Sequence, residues 1–456
     1  MAARKEHRRL LCDYFAGANI RYCNNLYGGN SMTFIPYSQR KYEPLGPKSK
    51  AVIERANRFS ATNYSPYPFV VESAEGAYLF DPDGNKVLDF LSAYSAVLTH
   101  RHKGVIDAVK KEMDSGSDLV SRALYTSRFA DFVEIVNEIT GYARVLPKSD
   151  GGSATDSALS GLLMHGGERG IANPEVILTK DYFHGRTWIF SSNALFDPDQ
   201  AGRRVPKAPG VVVVDDTVEA IANAINENTV GVFIEPHKGE GGPLFSKKEY
   251  FMGIRKLTRD KGIFLGADEI QTGLGRCGYY MAWQEYSEEA RPDFVTLGKA
   301  LGGGIIPVSA VVGNDEFMRI YTPGCDGSTF GGYPLASAAA VASLGYIRDE
   351  GICEKARELG NYFVKALSGI DNIHVENRGL LIRVEIKNAD SAKPACLEML
   401  LGEGRNPRVF MKHGHTNEET RTAYTRIAPP PGAMTEALID EAVEKTIAPV
   451  LRQASE

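Results

Sequence analysis

Residues 293–304, Asp-Phe-Val-Thr-Leu-Gly-Lys-Ala-Leu-Gly-Gly-Gly, constrain this chain more than any other stretch. A β-branched, apolar run delivers a single lysine, Lys299, into a bare turn of Gly302, Gly303 and Gly304. A strand end needs no ammonium there. The arrangement suits a lysine that is partly desolvated, so that its pKa falls and it can form a Schiff base. Taken alone, a solvated lysine in a glycine-rich turn is the commoner object. The upstream segment 268–273, Asp-Glu-Ile-Gln-Thr-Gly, shifts that balance. An acid (Asp268) closing one apolar strand and a lysine closing the next meet the needs of pyridoxal 5'-phosphate. The lysine holds the aldehyde, and the carboxylate keeps the pyridine nitrogen protonated.

The strand candidates are 176–178, 211–214, 232–234, 263–265 and 294–297, with amphipathic segments such as 218–226 and 247–261 between them. Buried, continuous strands separated by crossover helices predict an α/β fold with a mostly parallel sheet covered by helices. Before this region, 76–90 reads as strand, Asp-Pro-Asp-Gly turn and strand. After it, the chain is helix-rich with a late strand near 380–386. The expected organisation is an N-terminal arm (1–47), the N-terminal part of a small domain (48–103), a large cofactor-binding domain (104–339) and a C-terminal small α+β domain (340–456). At 456 residues, more than one core is expected.

Ligands of such sheets collect at the carboxyl ends of the strands. Five polar clusters sit at such ends: 150–157 (Asp-Gly-Gly-Ser-Ala-Thr-Asp-Ser), 183–187 (Phe-His-Gly-Arg-Thr), 235–242 (Glu-Pro-His-Lys-Gly-Glu-Gly-Gly), and the Asp268 and Lys299 motifs. Glycines ahead of a helix offer backbone N–H groups and the helix dipole to an anion. For 150–157 alone, a plain capped turn is the better reading.

In this order, these motifs resemble the class III aminotransferases, fold-type I pyridoxal phosphate enzymes, and most closely their ornithine δ-aminotransferase branch. The resemblance runs from about residue 63 to 430. It is carried also by 63–66 (Asn-Tyr-Ser-Pro), 90–97 (Phe-Leu-Ser-Ala-Tyr-Ser-Ala-Val), 327–332 (Gly-Ser-Thr-Phe-Gly-Gly) and 426–430 (Arg-Ile-Ala-Pro-Pro). It implies that Lys299 forms the Schiff base and shuttles the proton, that Asp268 pairs with the ring nitrogen, and that Gln271 bonds the phenolic oxygen. Phe183, with His184 beside it, stacks on the ring. Gly151, Gly152 and Ser153 hold the phosphate, and Ser328 and Thr329 reach the phosphate of the neighbouring subunit in a homodimer. On the substrate side it implies a Glu240–Arg426 pair acting as a switch, Arg186 taking the other carboxylate, and Tyr64 and Tyr94 favouring ornithine. The implied reaction moves the δ-amino group of L-ornithine to 2-oxoglutarate. Lysine, N-acetylornithine, 4-aminobutyrate or a diamine as donor, a racemase of the same fold, and an inactive binding protein stay as alternatives.

Three departures stand out. Asp150 occupies a position where relatives carry serine or threonine, and it is expected to turn outward, leaving Ser153 or Thr155 to supply the hydroxyl. Lys238 replaces a glutamine and Tyr333 an asparagine. The stretch 414–421 ahead of Arg426 looks longer than the family's corresponding loop.

The net charge of −5 gives no footprint for nucleic acid or an anionic membrane, and no apolar run is long enough to span a bilayer. The six cysteines lack metal-ligand or disulfide spacing, which suits reduced thiols in the cytoplasm and gives no metal site. The start of the chain is basic, but Glu6, Asp13 and the scarcity of early serine and threonine count against a mitochondrial presequence. The mitochondrial matrix remains the alternative location.

Overall fold

The computed structural model describes residues 41–455, apart from 62, 117–118, 121, 194–205, 241, 389 and 418–421. Most of the expected N-terminal arm and half of the 414–421 stretch therefore lie outside the described residues.

Seven strands form the central sheet. Their spatial order is Arg144–Lys148, Ser309–Gly313, Phe294–Leu297, Phe264–Asp268, Thr229–Ile234, Glu175–Thr179 and Val211–Val214. The last five run parallel to one another. Ser309–Gly313 is antiparallel to both its neighbours. Successive side chains of a strand point to opposite faces, and here both faces are filled. Ile177, Val232, Leu265 and Val295 enter one core, whereas Val176, Phe233, Phe264 and Phe294 enter another. Each such fully buried side chain contributes roughly 1.5–3 kcal/mol, which explains why these strands read as unbroken apolar runs. The covering helices include Ser127–Thr140, Gly151–Glu168, Lys248–Lys261 and Pro334–Asp349. The expected boundary at 339/340 falls inside the last of these.

Two four-stranded sheets lie outside this layer, besides a two-stranded one of His237–Lys238 and Leu244–Phe245. Ser73–Glu75, Tyr78–Phe80 and Lys86–Asp89 form a meander, as the turn residues of 81–85 suggest, and Arg408–Phe410 joins its edge in parallel. The second contains Ile373–Arg378, Leu381–Ile386, Thr422–Ile427 and Lys412–Asn417, all antiparallel. Leu88 and Phe90 share one core with Phe363, Ile382, Val384 and Ile427. The segment before the large sheet is thus packed against the segment after it.

Candidate active site

Adjacent parallel strands bring their carboxyl ends together, and the chemistry-bearing residues gather there for that reason. Asp268 is the last residue of its strand and pairs in register with Thr296 on the next. Two residues after that neighbouring strand comes Lys299, at φ +44°, opening a tight turn that Ser343 ties down by donating to the Ala300 carbonyl at 2.7 Å. A non-glycine residue in the left-handed region is strained and marks a position worth holding. Among the described residues the Lys299 ammonium makes no hydrogen bond or ion pair. Burial depresses its pKa, and the Glu240 and Asp268 charges only partly oppose that.

Asp268 is 4% exposed and well supplied with donors. Its Oδ1 accepts from the Thr296 hydroxyl at 2.9 Å and the Ile270 amide at 3.1 Å, and its Oδ2 lies 2.7 Å from His184 Nδ1. An ionised carboxylate has about four acceptor positions, so one remains for a further donor. His184 is stacked between Tyr182 (4.9 Å) and Phe233 (4.5 Å), and its Nε2 is buried with no partner. Phe183 precedes it and is partly exposed toward the site.

At the expected phosphate end, local bonds engage the polar side chains. Asp150 is exposed. It caps the helix Gly151–Glu168, its Oδ1 accepting from the Ser153 amide at 3.0 Å, while Ser153 Oγ donates to the Asp150 carbonyl at 2.7 Å. Thr155 faces inward and donates to the His184 carbonyl at 2.5 Å. Neither hydroxyl is free in the way expected, because local capping and loop-pinning bonds use both. The amides of Gly151 and Gly152 are the donors left over in the first turn. Ser328 contacts Ser149 Oγ at 3.0 Å, and Thr329 is exposed.

On the substrate side, Arg426 and Glu240 meet in a two-point ion pair of 2.8 and 3.2 Å, with the Gly239 carbonyl also accepting from Arg426 at 2.8 Å. Burial alone would raise the Glu240 carboxyl. Arg426, with Lys299 and Gln271 behind it, overrides that and holds it below the usual range. A side chain at position 239 would strike Gln271 Oε1 at 1.7 Å, so only glycine lets Gln271 approach this loop. The Arg426 guanidinium lies 4.9 Å from the Tyr94 ring centre. Burial raises the Tyr94 hydroxyl pKa, and Glu240, Arg426, Tyr64 and Arg186 all exert charge effects on it, so the five expected substrate residues converge. Tyr64 (71% exposed) and Arg186 sit at the open side, Arg186 with its guanidinium 5.7 Å from the Phe183 ring.

Two departures prove structural. Lys238 is buried and turns to Asp216 at 2.9 Å. Tyr333 caps the helix Pro334–Asp349 and packs edge-on against Phe330.

Sequence reasoning gives no role to Glu235, although it directly succeeds a strand that ends at this site. Its Oε2 accepts from the Phe183 amide at 2.9 Å and its Oε1 from the Gly239 amide at 3.2 Å, tying together the loops that carry Phe183 and Glu240. Burial pushes its pKa up to about 7, with His184 opposing and Asp268 adding. A carboxyl whose folded pKa lies above its unfolded value stabilises the fold fully below the unfolded value, and that contribution is lost as pH rises toward the folded value. The melting temperature of Glu235→Gln minus that of the parent should therefore rise between about pH 5 and about pH 8. A pH-independent difference in calorimetric scans would contradict this.

The residues present fit pyridoxal 5'-phosphate on the geometry of the site itself. A desolvated, unpaired amine stands within charge range of a buried carboxylate that has an acceptor position to spare, and the first turn of the helix Gly151–Glu168 lies against Ile270, two residues past that carboxylate. Among the described residues, no group of side chains could hold a metal ion, and no helix is long and apolar enough to cross a membrane.

The profile of the family described as aminotransferase class-III matches residues 59–446. The ornithine aminotransferase of Staphylococcus carnosus is 39% identical over 408 residues, 87% of this chain and 98% of that protein. The ornithine aminotransferase of Toxoplasma gondii, whose structure from crystals grown with oxidized glutathione shows partial occupancy of PLP at the active site, superposes with a TM-score of 0.81. It is 30% identical, covering 88% of this chain and 94% of that one. The acetylornithine aminotransferase of Elizabethkingia anophelis is also 30% identical, with a TM-score of 0.75 and coverages of 88% and 98%.

Proposed function

Because the chain belongs to the class III aminotransferases, fold-type I enzymes that work through pyridoxal 5'-phosphate, we propose that it moves the δ-amino group of L-ornithine to 2-oxoglutarate, giving glutamate 5-semialdehyde and glutamate. The observation that carries this reading is the two-point Glu240–Arg426 pair beneath Tyr94. An enzyme that reacts at a distal amine in one half and at the α-carbon of glutamate in the other needs a cation it can hide and expose. A one-substrate isomerase has no use for such a pair. The 39% identity to an ornithine aminotransferase supports the same donor.

In this reading the cofactor, when bound, supplies an aldehyde for the amino group and a ring that accepts the electron pair of the reacting carbon. Lys299 Nζ would hold the aldehyde carbon and move the proton at the reacting carbon, for which its depressed pKa favours the neutral base. Asp268, oriented by His184 and Thr296, would keep the ring nitrogen protonated. Gln271 would bond the phenolic oxygen, Phe183 would stack on the ring, and the Gly151 and Gly152 amides would take the phosphate. Arg186 takes the second carboxylate, and Tyr64 lies near the α-amino group.

We also propose a homodimer in which Ser328 and Thr329 complete the phosphate site across the interface. The exposure of Leu124 (62%), Tyr125 (99%) and Phe330 (49%), large apolar side chains that otherwise face water, supports it. The four cysteines among the described residues are free, in keeping with a reducing cytoplasm. The domain division proposed is the arm, large and small domains given by the sequence.

A donor panel against 2-oxoglutarate tests the substrate. Ornithine is expected to exceed N-acetylornithine, lysine and 4-aminobutyrate in kcat/KM by at least about tenfold, a 1.4 kcal/mol preference. Preference for N-acetylornithine would replace the assignment.

A further inference from the structure

The N-terminus of the helix Gly151–Glu168 carries more negative charge than an anion cradle should. Asp150 Oδ1 already occupies the Ser153 amide, and the Asp150 carbonyl is anchored from both sides, by Ser309 Oγ at 2.6 Å and Ser153 Oγ at 2.7 Å. The cap is therefore built in and does not swing freely. Six residues on, Asp156 is held by Thr187 Oγ1 at 2.8 Å. Its pKa is raised by burial and further by the charge of Asp150, against the Thr187 bond, so the two carboxylates feel each other. Lys148, the nearest lysine in sequence, offsets the Asp156 charge only in part. Lys148 is committed to Asp326 at 2.9 Å and the Gly327 carbonyl at 3.1 Å.

We infer that Asp150 sets the affinity for the cofactor phosphate by opposing it: the side chain fills one of the three first-turn amides and places a like charge beside the two that remain. The inference rests on the phosphate placement of the proposed function. A helix N-terminus attracts anions through its free N–H groups and dipole, and an aspartate cap spends both on the protein's own charge. Serine or asparagine would cap the helix equally well without that charge. The expected consequence is a cofactor held less firmly than the rest of the site permits, and one that exchanges with solution.

The test uses the full chain stripped of cofactor, with pyridoxal 5'-phosphate and unphosphorylated pyridoxal as probes and equilibrium dialysis as readout. Asp150→Ser and Asp150→Asn should each lower the Kd for pyridoxal 5'-phosphate by about tenfold, equal to about 1.4 kcal/mol, and leave the Kd for pyridoxal unchanged. The gap should shrink at about 1 M salt, where charges are screened within about 3 Å. Unchanged or weaker binding of pyridoxal 5'-phosphate in both variants overturns the role of Asp150 and leaves the cofactor reading intact. Equal gains for both probes overturn it too, because the phosphate is then not the group opposed. Failure of the parent and both variants to bind pyridoxal 5'-phosphate overturns both readings together.

Discussion

Lys299→Ala should lower turnover by at least about 10⁴-fold while leaving a folded protein that still takes up pyridoxal 5'-phosphate without a covalent bond. Two functions are lost with one atom. The Nζ that holds the aldehyde is also the base that moves the proton, and a positioned base alone accounts for about 10²–10⁴ in rate. Folding should not suffer. Alanine meets the same left-handed backbone cost at φ +44° that lysine does, and removing a desolvated amine relieves burial that the Glu240 and Asp268 charges only partly offset. Single-turnover transfer of the amino group, read beside a thermal melt, checks both halves. Transfer near the parental rate would remove Lys299 from the mechanism. A collapsed melting temperature would mean that the lysine supports the fold.

Much of this site is legible in the sequence because the carboxyl ends of parallel strands are a place that sequence pattern can find. The runs at 211–214, 232–234 and 294–297 announce strands of one sheet, and the residues just beyond each one are necessarily near the others. Asp268 and Lys299 come together for that reason. Glu240 and Arg426 lie 186 positions apart, and no periodicity joins them. Only the family resemblance pairs them, and the two-point contact agrees with it.

Other parts are not legible, each for a physical reason. Ser92, Ala93, Tyr94 and Ser95 form a left-handed turn at φ +45°, +49°, +58° and +77°, with no glycine to signal it. At roughly 1–2 kcal/mol per residue, such a turn persists because a local carboxylate and a distant guanidinium both hold it. Asp89 Oδ1 accepts from the Leu91 and Ser92 amides at 2.9 and 2.8 Å. Arg276, 1% exposed, donates to Ser92 Oγ at 2.9 Å and to the Pro429 carbonyl at 2.6 Å. The Asp89 bonds are local, those of Arg276 are tertiary, and the turn they hold sets Tyr94 against Arg426. Asp150 shows a local cause. Repulsion from a phosphate gives the expectation of an outward side chain; it does not foresee that the exposed side chain caps its own helix through the Ser153 amide.

Removing either member of the Glu240–Arg426 pair should damage the two half-reactions unequally. Arg426→Ala should weaken the step with 2-oxoglutarate by about 10²–10⁴-fold, since a desolvated carboxylate loses two charge-assisted hydrogen bonds worth roughly 1.5–3 kcal/mol each. The step with ornithine should fall by less than about tenfold. There Arg426 is only stored against Glu240, and Arg186 carries the carboxylate. Glu240→Ala acts on specificity. With its counter-charge gone, Arg426 stays exposed, α-carboxylates bind in both halves, and glutamate gains on ornithine as donor. That variant also leaves a buried guanidinium with only the Gly239 carbonyl and the Tyr94 ring as partners, so its melting temperature should drop more than its ornithine affinity alone would suggest. Tyr94→Ile should move the same scaffold toward ω-amino acids that have no α-amino group. Stopped-flow measurement of each half separately, with ornithine and with glutamate, separates these effects. Equal losses in both halves for Arg426→Ala would mean that the pair is a fixed structural bridge and no switch, and the case for ornithine would then rest on similarity alone.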